Sequence, residues 1–191
     1  RGWPVFPVHS AAEGSCSCGN TDCTSPGKHP RTERGFKDAS SDVGVIHDWW
    51  RRWPTANIGL PTGQPSGIWV LDVDPRHGGG DSLGELEAKY NPLPDSVEVL
   101  TGGGGRHIYF RWTPGGPRNS EGKLGPGLDV RGEGGYVLLP PSSHLSGRVY
   151  EWEASRHLDD LVAANPPDWL LKLLSGPGSR RRQAGPLPER L

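Results

Sequence analysis

Residues 67–74 read GIWVLDVD, a β-branched and aromatic run that ends in two carboxylates one residue apart. Such residues suit a pleated, buried surface, so the run predicts a central strand whose exit carries acids. Residues i and i+2 of a strand share a face, which sets Asp72 and Asp74 side by side. Two carboxylates that close repel unless a cation lies between them, and hard divalent ions take oxygen ligands. Asp129, set among aliphatic residues in LDVR (128–131), is the third candidate ligand, and Arg131 shares its face. The blander readings are a D-x-D that caps a turn and an ordinary Asp129–Arg131 ion pair.

Around that strand the chain is cut into short pieces. Of 191 residues 29 are Gly and 20 are Pro, which limits the length of any element, while eight Trp argue against disorder. Length and composition together predict one compact, loop-rich α+β domain. An edge strand is expected within Arg1–Val8. A helix is expected over Ser40–Trp53, capped by Ser40, Ser41 or Asp42, with Val43, Ile46, Trp49, Trp50 and Trp53 on one core-facing stripe. Ala56–Gly63 reads as a strand and glycine turn, and Asp81 or Ser82 as the cap of a helix to Tyr90. Val97–Thr101 and His107–Trp112 flank TGGGGR as two strands. Leu128–Arg131 and Gly135–Leu139 read as another pair around GEG, Val149–Glu153 as a last strand and Pro167–Leu174 as a short helix. The domain is therefore expected over 1–175, with 176–191 a Gly/Pro/Arg-rich linker or tail.

Residues 10–34 have no hydrophobic periodicity and hold all three cysteines. A segment without a core needs another staple. Cys16, Cys18, Cys23 and His29 follow C-x-C-x4-C-x5-H, a donor set that zinc accepts as a closed structural tetrahedron. His9 is the reserve ligand. Unoxidised thiols beside an unrelated histidine would be the plain alternative. An odd cysteine count suits a reducing compartment, so a cytoplasmic location is expected.

His107 follows TGGGGR and opens a β run. Glycines such as Gly104 and Gly105 leave backbone N–H groups open to a close ligand, as phosphate sites require, and Arg106 and His107 add donors. A plain strand-edge histidine is the alternative. Net charge is −1, and the tail from Arg180 carries four of the arginines, so the rest is net acidic. That excludes a generally basic nucleic-acid binder and leaves local contacts or metal-offset phosphate binding. No apolar run approaches the ~20 residues of a membrane-spanning helix, and no basic-plus-apolar leader opens the chain. The chain starts at Arg1 and has no Met, so a fragment or trimmed form is expected.

Taken together, GWPVFPV (2–8), the cysteine pattern running into GKHP (27–30), WWRRWPTANIGLPTG (49–63), VLDVD (70–74), GGRHIYF (104–110), LDVRGEGGYVLLPPS (128–142) and YEW (150–152) resemble the bifunctional DNA primase/polymerase (prim–pol) domains of the archaeo-eukaryotic primase superfamily. The resemblance implies an RRM-like mixed or antiparallel catalytic sheet packed with a second small α/β unit, with the zinc-binding loop (10–34) as an insertion. It implies two Mg²⁺ or Mn²⁺ ions held by Asp72, Asp74 and Asp129, and a triphosphate met by His107. Many superfamily members have a serine two residues before that histidine; here the position is Gly105. Arg131, Ser142 and Ser143 are further candidate contacts to phosphate or sugar. The implied activity is template-directed nucleotidyl transfer in plasmid, phage or bacterial replication or repair. Its implied partners are single-stranded or primed DNA, NTP or dNTP, and a C-terminal helicase or accessory domain. The competing class is a zinc-stabilised nucleic-acid-binding module without catalysis of its own. A replication-initiator endonuclease would need H-x-H, and none of the seven histidines is so spaced.

Overall fold

A computed structural model of the protein describes residues 2–12 and 14–175; the tail expected at 176–191 lies outside the described residues. In chain order the elements are β1 (Phe6–Val8), β2 (Ala11–Ala12), β3 (Ser15–Cys16), α1 (Val43–Arg52), β4 (Asn57–Pro61), β5 (Ile68–Val73), α2 (Gly79–Lys89), β6 (Glu98–Leu100), β7 (Arg106–Arg111), β8 (Leu128–Arg131), β9 (Tyr136–Leu139), β10 (Glu151–Trp152) and α3 (Asp168–Ser175). The fold is α+β. Five strands form one sheet in the order β10-β6-β7-β5-β8, three form another as β1-β4-β9, and β2-β3 is a small ribbon. Every pairing between these strands is antiparallel.

Period-two alternation splits the five-stranded sheet between two cores. Trp69, Leu71 and Val73 of β5, Ile108 and Phe110 of β7, and Leu128 and Val130 of β8 pack with Leu83 of α2 and Leu170 of α3. The other face sends Ile68, Val70, Val99 and Tyr109 against Phe6, Val8, Leu60 and Val137 of the three-stranded sheet. In that second core the Phe6 ring lies on Gly59, its register partner, where a Cβ would overlap it. β5 is the interior strand that its sequence predicts, and β1 is an edge.

Three expectations are corrected. Leu128–Arg131 and Gly135–Leu139 are not partners: β8 pairs with β5 and β9 with β4, in different sheets. The GEG between them carries the chain across, because Thr62 at the end of β4 takes up both turn carbonyls. Its N–H donates to Gly135 O (2.9 Å) and its hydroxyl to Gly132 O (2.7 Å). Second, α2 starts before Asp81 and Ser82, at Gly79 after a left-handed Gly78, because Asp74 already caps the preceding 3-10 turn by accepting the Arg76 N–H (3.0 Å). Third, α1 is capped by Asp42, which accepts the Val45 N–H (2.9 Å), but none of its residues is fully buried. Ile46, Trp49, Trp50 and Trp53 are half-buried and Val43 is 79% exposed. The helix leans on the sheet edge at β1, and one edge strand cannot cover the whole stripe.

A buried carboxylate ties down the far edge of the large sheet. Glu98 is 2% exposed and accepts from Arg156, and Arg106 lies 3.4 Å away. Arg156→Ala leaves that carboxylate with one long contact. The expected cost is about 2–3 kcal/mol, below the ~3–5 kcal/mol of a wholly broken buried pair because Arg106 remains. Urea unfolding checks it, and an unchanged midpoint would remove the lock.

Candidate active site and metal centre

The register of the large sheet builds one row of polar groups. On β5, Asp72 stands directly opposite Asp129 of β8 on one side and His107 of β7 on the other. Directly opposite residues share a face, so all three project from the face that meets the three-stranded sheet. The alternation explains why: Leu71 and Val73, Ile108, and Leu128 and Val130 claim the helix-covered face.

Arg131 bridges the two acids, its Nη2 lying 3.0 Å from Asp129 Oδ2 and 3.4 Å from Asp72 Oδ2. A cation between two carboxylates is what their repulsion demands. Asp129 also accepts the Gly122 N–H (3.0 Å). His107 Nε2 lies 3.6 Å from Asp72 Oδ1. Burial lowers the His107 pKa, Asp72 opposes that, and Arg131 and Lys28 reinforce it, so the imidazole is neutral at pH 7. His107 Nδ1 is buried without a partner among the described residues.

Asp74 lies one residue past β5 and turns toward the loop that follows. Arg76 reaches it at 3.0 and 3.1 Å, and His77 Nδ1 at 3.0 Å. The Arg76 side-chain bonds lead in lowering its carboxyl to about 2, against burial. Asp72, Asp74 and His107 line one pocket of about 70 Å³ with Lys28, Arg76, Thr101, Gly103, Gly105 and Tyr150. Burial, then the Asp72 charge, pushes the Tyr150 hydroxyl up to about 12. A second cavity of about 480 Å³ shares Thr101 and Gly105 with it and extends over Leu100, Gly104, Arg148 and Val149.

The remaining sequence candidates divide. Gly104 and Gly105 lie in the turn between β6 and β7, lining one or both cavities. A Cβ at Gly105 would overlap the Val73 carbonyl, so a serine there has no room. The nearby hydroxyl is that of Thr101, which accepts the Gly105 N–H (3.0 Å). Arg106 does not join the row: it projects from the opposite face, toward Glu98. The Ser142 hydroxyl accepts the Ile58 N–H (2.9 Å) and that of Ser143 accepts the Ala11 N–H (3.1 Å). Both serines are thus engaged in joining the cysteine loop and β4 to the sheet. Sequence reasoning missed Lys28, Arg76, Thr101 and Tyr150 as pocket residues. Lys28, Tyr150 and Thr101 stood inside GKHP, YEW and TGGGGR, whereas nothing in the sequence marks Arg76.

The cysteine loop converges as its spacing predicts. One donor atom from each of Cys16, Cys18, Cys23 and His29 lies within 4.8 Å of every other. His29 Nε2 is 3.4 Å from Cys16 Sγ and 3.5 Å from Cys23 Sγ. Zn–S near 2.3 Å and Zn–N near 2.0–2.1 Å in a tetrahedron require S···N of about 3.6 Å, so these residues fit zinc. Burial opposes ionisation of Cys16, but N–H groups of Gly27 and Cys18 and the contact with His29 bring the thiol down to about 6. His9 is not among the four: it stacks on His29 (4.3 Å between ring centres) and contacts Ser17 Oγ at 3.1 Å.

The three aspartates are a looser set. Among the described residues, only the cysteine–histidine group has all its donor atoms within 4.8 Å; Arg131 and Arg76 hold the carboxylates in separate ion pairs. Their donors are hard oxygens, and two of the three share a pocket with His107. That chemistry fits Mg²⁺ or Mn²⁺.

A family model described as bifunctional DNA primase/polymerase, N-terminal, matches residues 1–169. No curated protein is a significant match to the chain. No helix among the described residues is long and apolar enough to cross a membrane.

Proposed function

As this chain belongs to the bifunctional DNA primase/polymerase family, we propose that it performs template-directed nucleotidyl transfer at the pocket that Asp72 and His107 of the five-stranded sheet share with Lys28 of the cysteine loop. The observation that carries the proposal is the register row Asp129–Asp72–His107 across three adjacent strands. The five-stranded sheet, with α2 and α3 on its outer face, is read as the RRM-like catalytic layer, and the three-stranded sheet as the second unit.

Asp72, Asp74 and Asp129 are the residues that hold divalent ions. Bound Mg²⁺ or Mn²⁺ supplies acidity to the attacking 3′-hydroxyl and neutralises charge on the pyrophosphate that leaves. His107, kept neutral by burial, presents its Nε2 as a hydrogen-bonding group to a phosphate oxygen rather than as a fixed charge. Arg131 shields the two acids from each other and exchanges a carboxylate for a phosphate when nucleotide arrives. A pocket of about 70 Å³ takes ions and phosphate oxygens but no nucleoside. The base and sugar, or the templating strand, are assigned to the adjoining cavity of about 480 Å³. Zinc at Cys16, Cys18, Cys23 and His29 is structural.

The test is incorporation of labelled dNTP and NTP on single-stranded and primed templates with Mn²⁺ or Mg²⁺. Metal-dependent, template-dependent products are expected. DNA binding with no incorporation on any template would overturn catalysis in favour of a zinc-stabilised binding module.

A further inference from the structure

Lys28 belongs to the cysteine loop, yet it lines the pocket of Asp72, Asp74 and His107. It is the residue before the zinc ligand His29, and its backbone is fastened on both sides. Before it, the Gly27 N–H points at Cys16 Sγ (3.4 Å) and the Gly27 carbonyl accepts from Asn57 Nδ2 (2.9 Å). Asn57 is 2% exposed and is itself clamped to Ser143, whose N–H it accepts at 2.7 Å. The Lys28 carbonyl accepts the Tyr136 hydroxyl (2.6 Å). After it, the His29 carbonyl accepts the His9 N–H (2.9 Å). The loop is thus a wall of the pocket, and the metal cluster sets where that wall stands.

The Lys28 ammonium has no carboxylate partner among the described residues. Its charge is felt across the pocket: burial leads in lowering both His107 and His144, and Lys28 adds to each. The glycine turn between β6 and β7 lines the same pocket through Gly103 and Gly105. An uncommitted cation in a pocket also lined by glycine backbone recognises a compact anion that reaches both. A nucleic-acid backbone offers one charge per phosphate along an open groove, whereas a pocket of about 70 Å³ selects a compact, highly charged group.

We propose that Lys28 binds the polyphosphate of the incoming nucleotide and that the zinc cluster positions it to do so. The inference rests on the nucleotidyl-transfer reading for the identity of its ligand. It gives the cysteine loop a second role, in nucleotide affinity, beside holding its own segment together.

Calorimetric titration of the zinc-loaded protein with inorganic triphosphate and with dTTP, each with Mg²⁺, tests it. Lys28→Ala is expected to weaken both by about tenfold or more, as for loss of a charge-assisted hydrogen bond. Lys28→Arg should recover most of that loss. Zinc content and the thermal midpoint of Lys28→Ala should match the parent, which separates a binding role from damage to the loop. Zinc-stripped protein should bind triphosphate as weakly as Lys28→Ala, and stripping Lys28→Ala should cost nothing further. Triphosphate affinity unchanged in Lys28→Ala overturns the proposal, as does a loss confined to single-stranded DNA binding. Polymerisation with an unchanged dNTP KM in Lys28→Ala would overturn this inference alone. Lys28-dependent triphosphate binding without any incorporation would overturn only the polymerase reading.

Discussion

Asp72→Asn is expected to slow primer extension by about a thousandfold or more while leaving the fold almost unchanged. Asp72 is the middle of the row, the one residue with a register neighbour in both Asp129 and His107. The amide keeps the shape and removes the charge. A neutral amide oxygen holds Mg²⁺ or Mn²⁺ less tightly than a carboxylate because it brings no charge, so the loss falls on the ion-dependent step. A thousandfold corresponds to about 4 kcal/mol of barrier, in the range expected of a metal that stabilises transition-state charge. The structural consequence is small because Asp72 is an outlying partner of its cation. Arg131 is closer to Asp129, at 3.0 against 3.4 Å, and all three side chains are partly open to water. Partly exposed pairs contribute about 0–1 kcal/mol, so the thermal midpoint should move by no more than a few degrees. Asp48→Asn, on the exposed surface of α1 with Arg51 as partner, is the control and should extend primers like the parent. Extension by Asp72→Asn at more than about a tenth of the parent rate would remove the carboxylate row from the mechanism.

Much of that row is readable before any coordinates. VLDVD, RHIYF and LDVR are each strand runs, and period two within each separates Asp72 from Leu71 and Val73, His107 from Ile108, and Asp129 from Leu128 and Val130. What the sequence does not contain is the register between strands. Only the pairing of β5 with both β7 and β8 brings Asp72 level with His107 and Asp129. The same gap produced the error at GEG, where a three-residue connection reads as a hairpin but Thr62 pulls the turn toward the other sheet. Arg106 shows the opposite limit. Adjacent to His107 in sequence, it must face away from it in a strand, and the buried Glu98 on β6 that receives it is no local neighbour. Helix α1 was legible in extent and capping, but not in burial, because a stripe of tryptophans does not say how much surface will be offered to it. Lys28 is the most instructive miss. Its neighbour His29 belongs to the candidate zinc set, which points to the loop's own chemistry, while the backbone on which it stands is held by Asn57 and Tyr136.

Removal of zinc is the other large effect expected, and it acts on stability first. The loop has little apolar surface of its own: β2 and β3 are two residues each, and Cys16 and Ala11 are its buried hydrophobic positions. Binding free energy at such a site is therefore folding free energy. At a free zinc concentration a thousandfold above Kd the stabilisation is about 4 kcal/mol, which for a chain of this size corresponds to roughly 8–16 °C in Tm. Chelation of the holoprotein, or Cys23→Ser, should lower Tm by that order and open the 14–34 segment to limited proteolysis. Damage should spread along defined bonds, since Ser143 and Asn57 lose the Ala11 and Gly27 partners that join the loop to the sheet. The large sheet takes no ligand from the loop, so far-UV circular dichroism of its strands should survive at temperatures where nucleotide affinity is already lost. Ligation requires thiolates, and Cys16, drawn down to about 6 despite burial, is ready for metal at neutral pH. Readdition of zinc should restore Tm and protease resistance together. A zinc-free protein with the parent's melting temperature and cleavage pattern would show that the four side chains hold the loop without a metal.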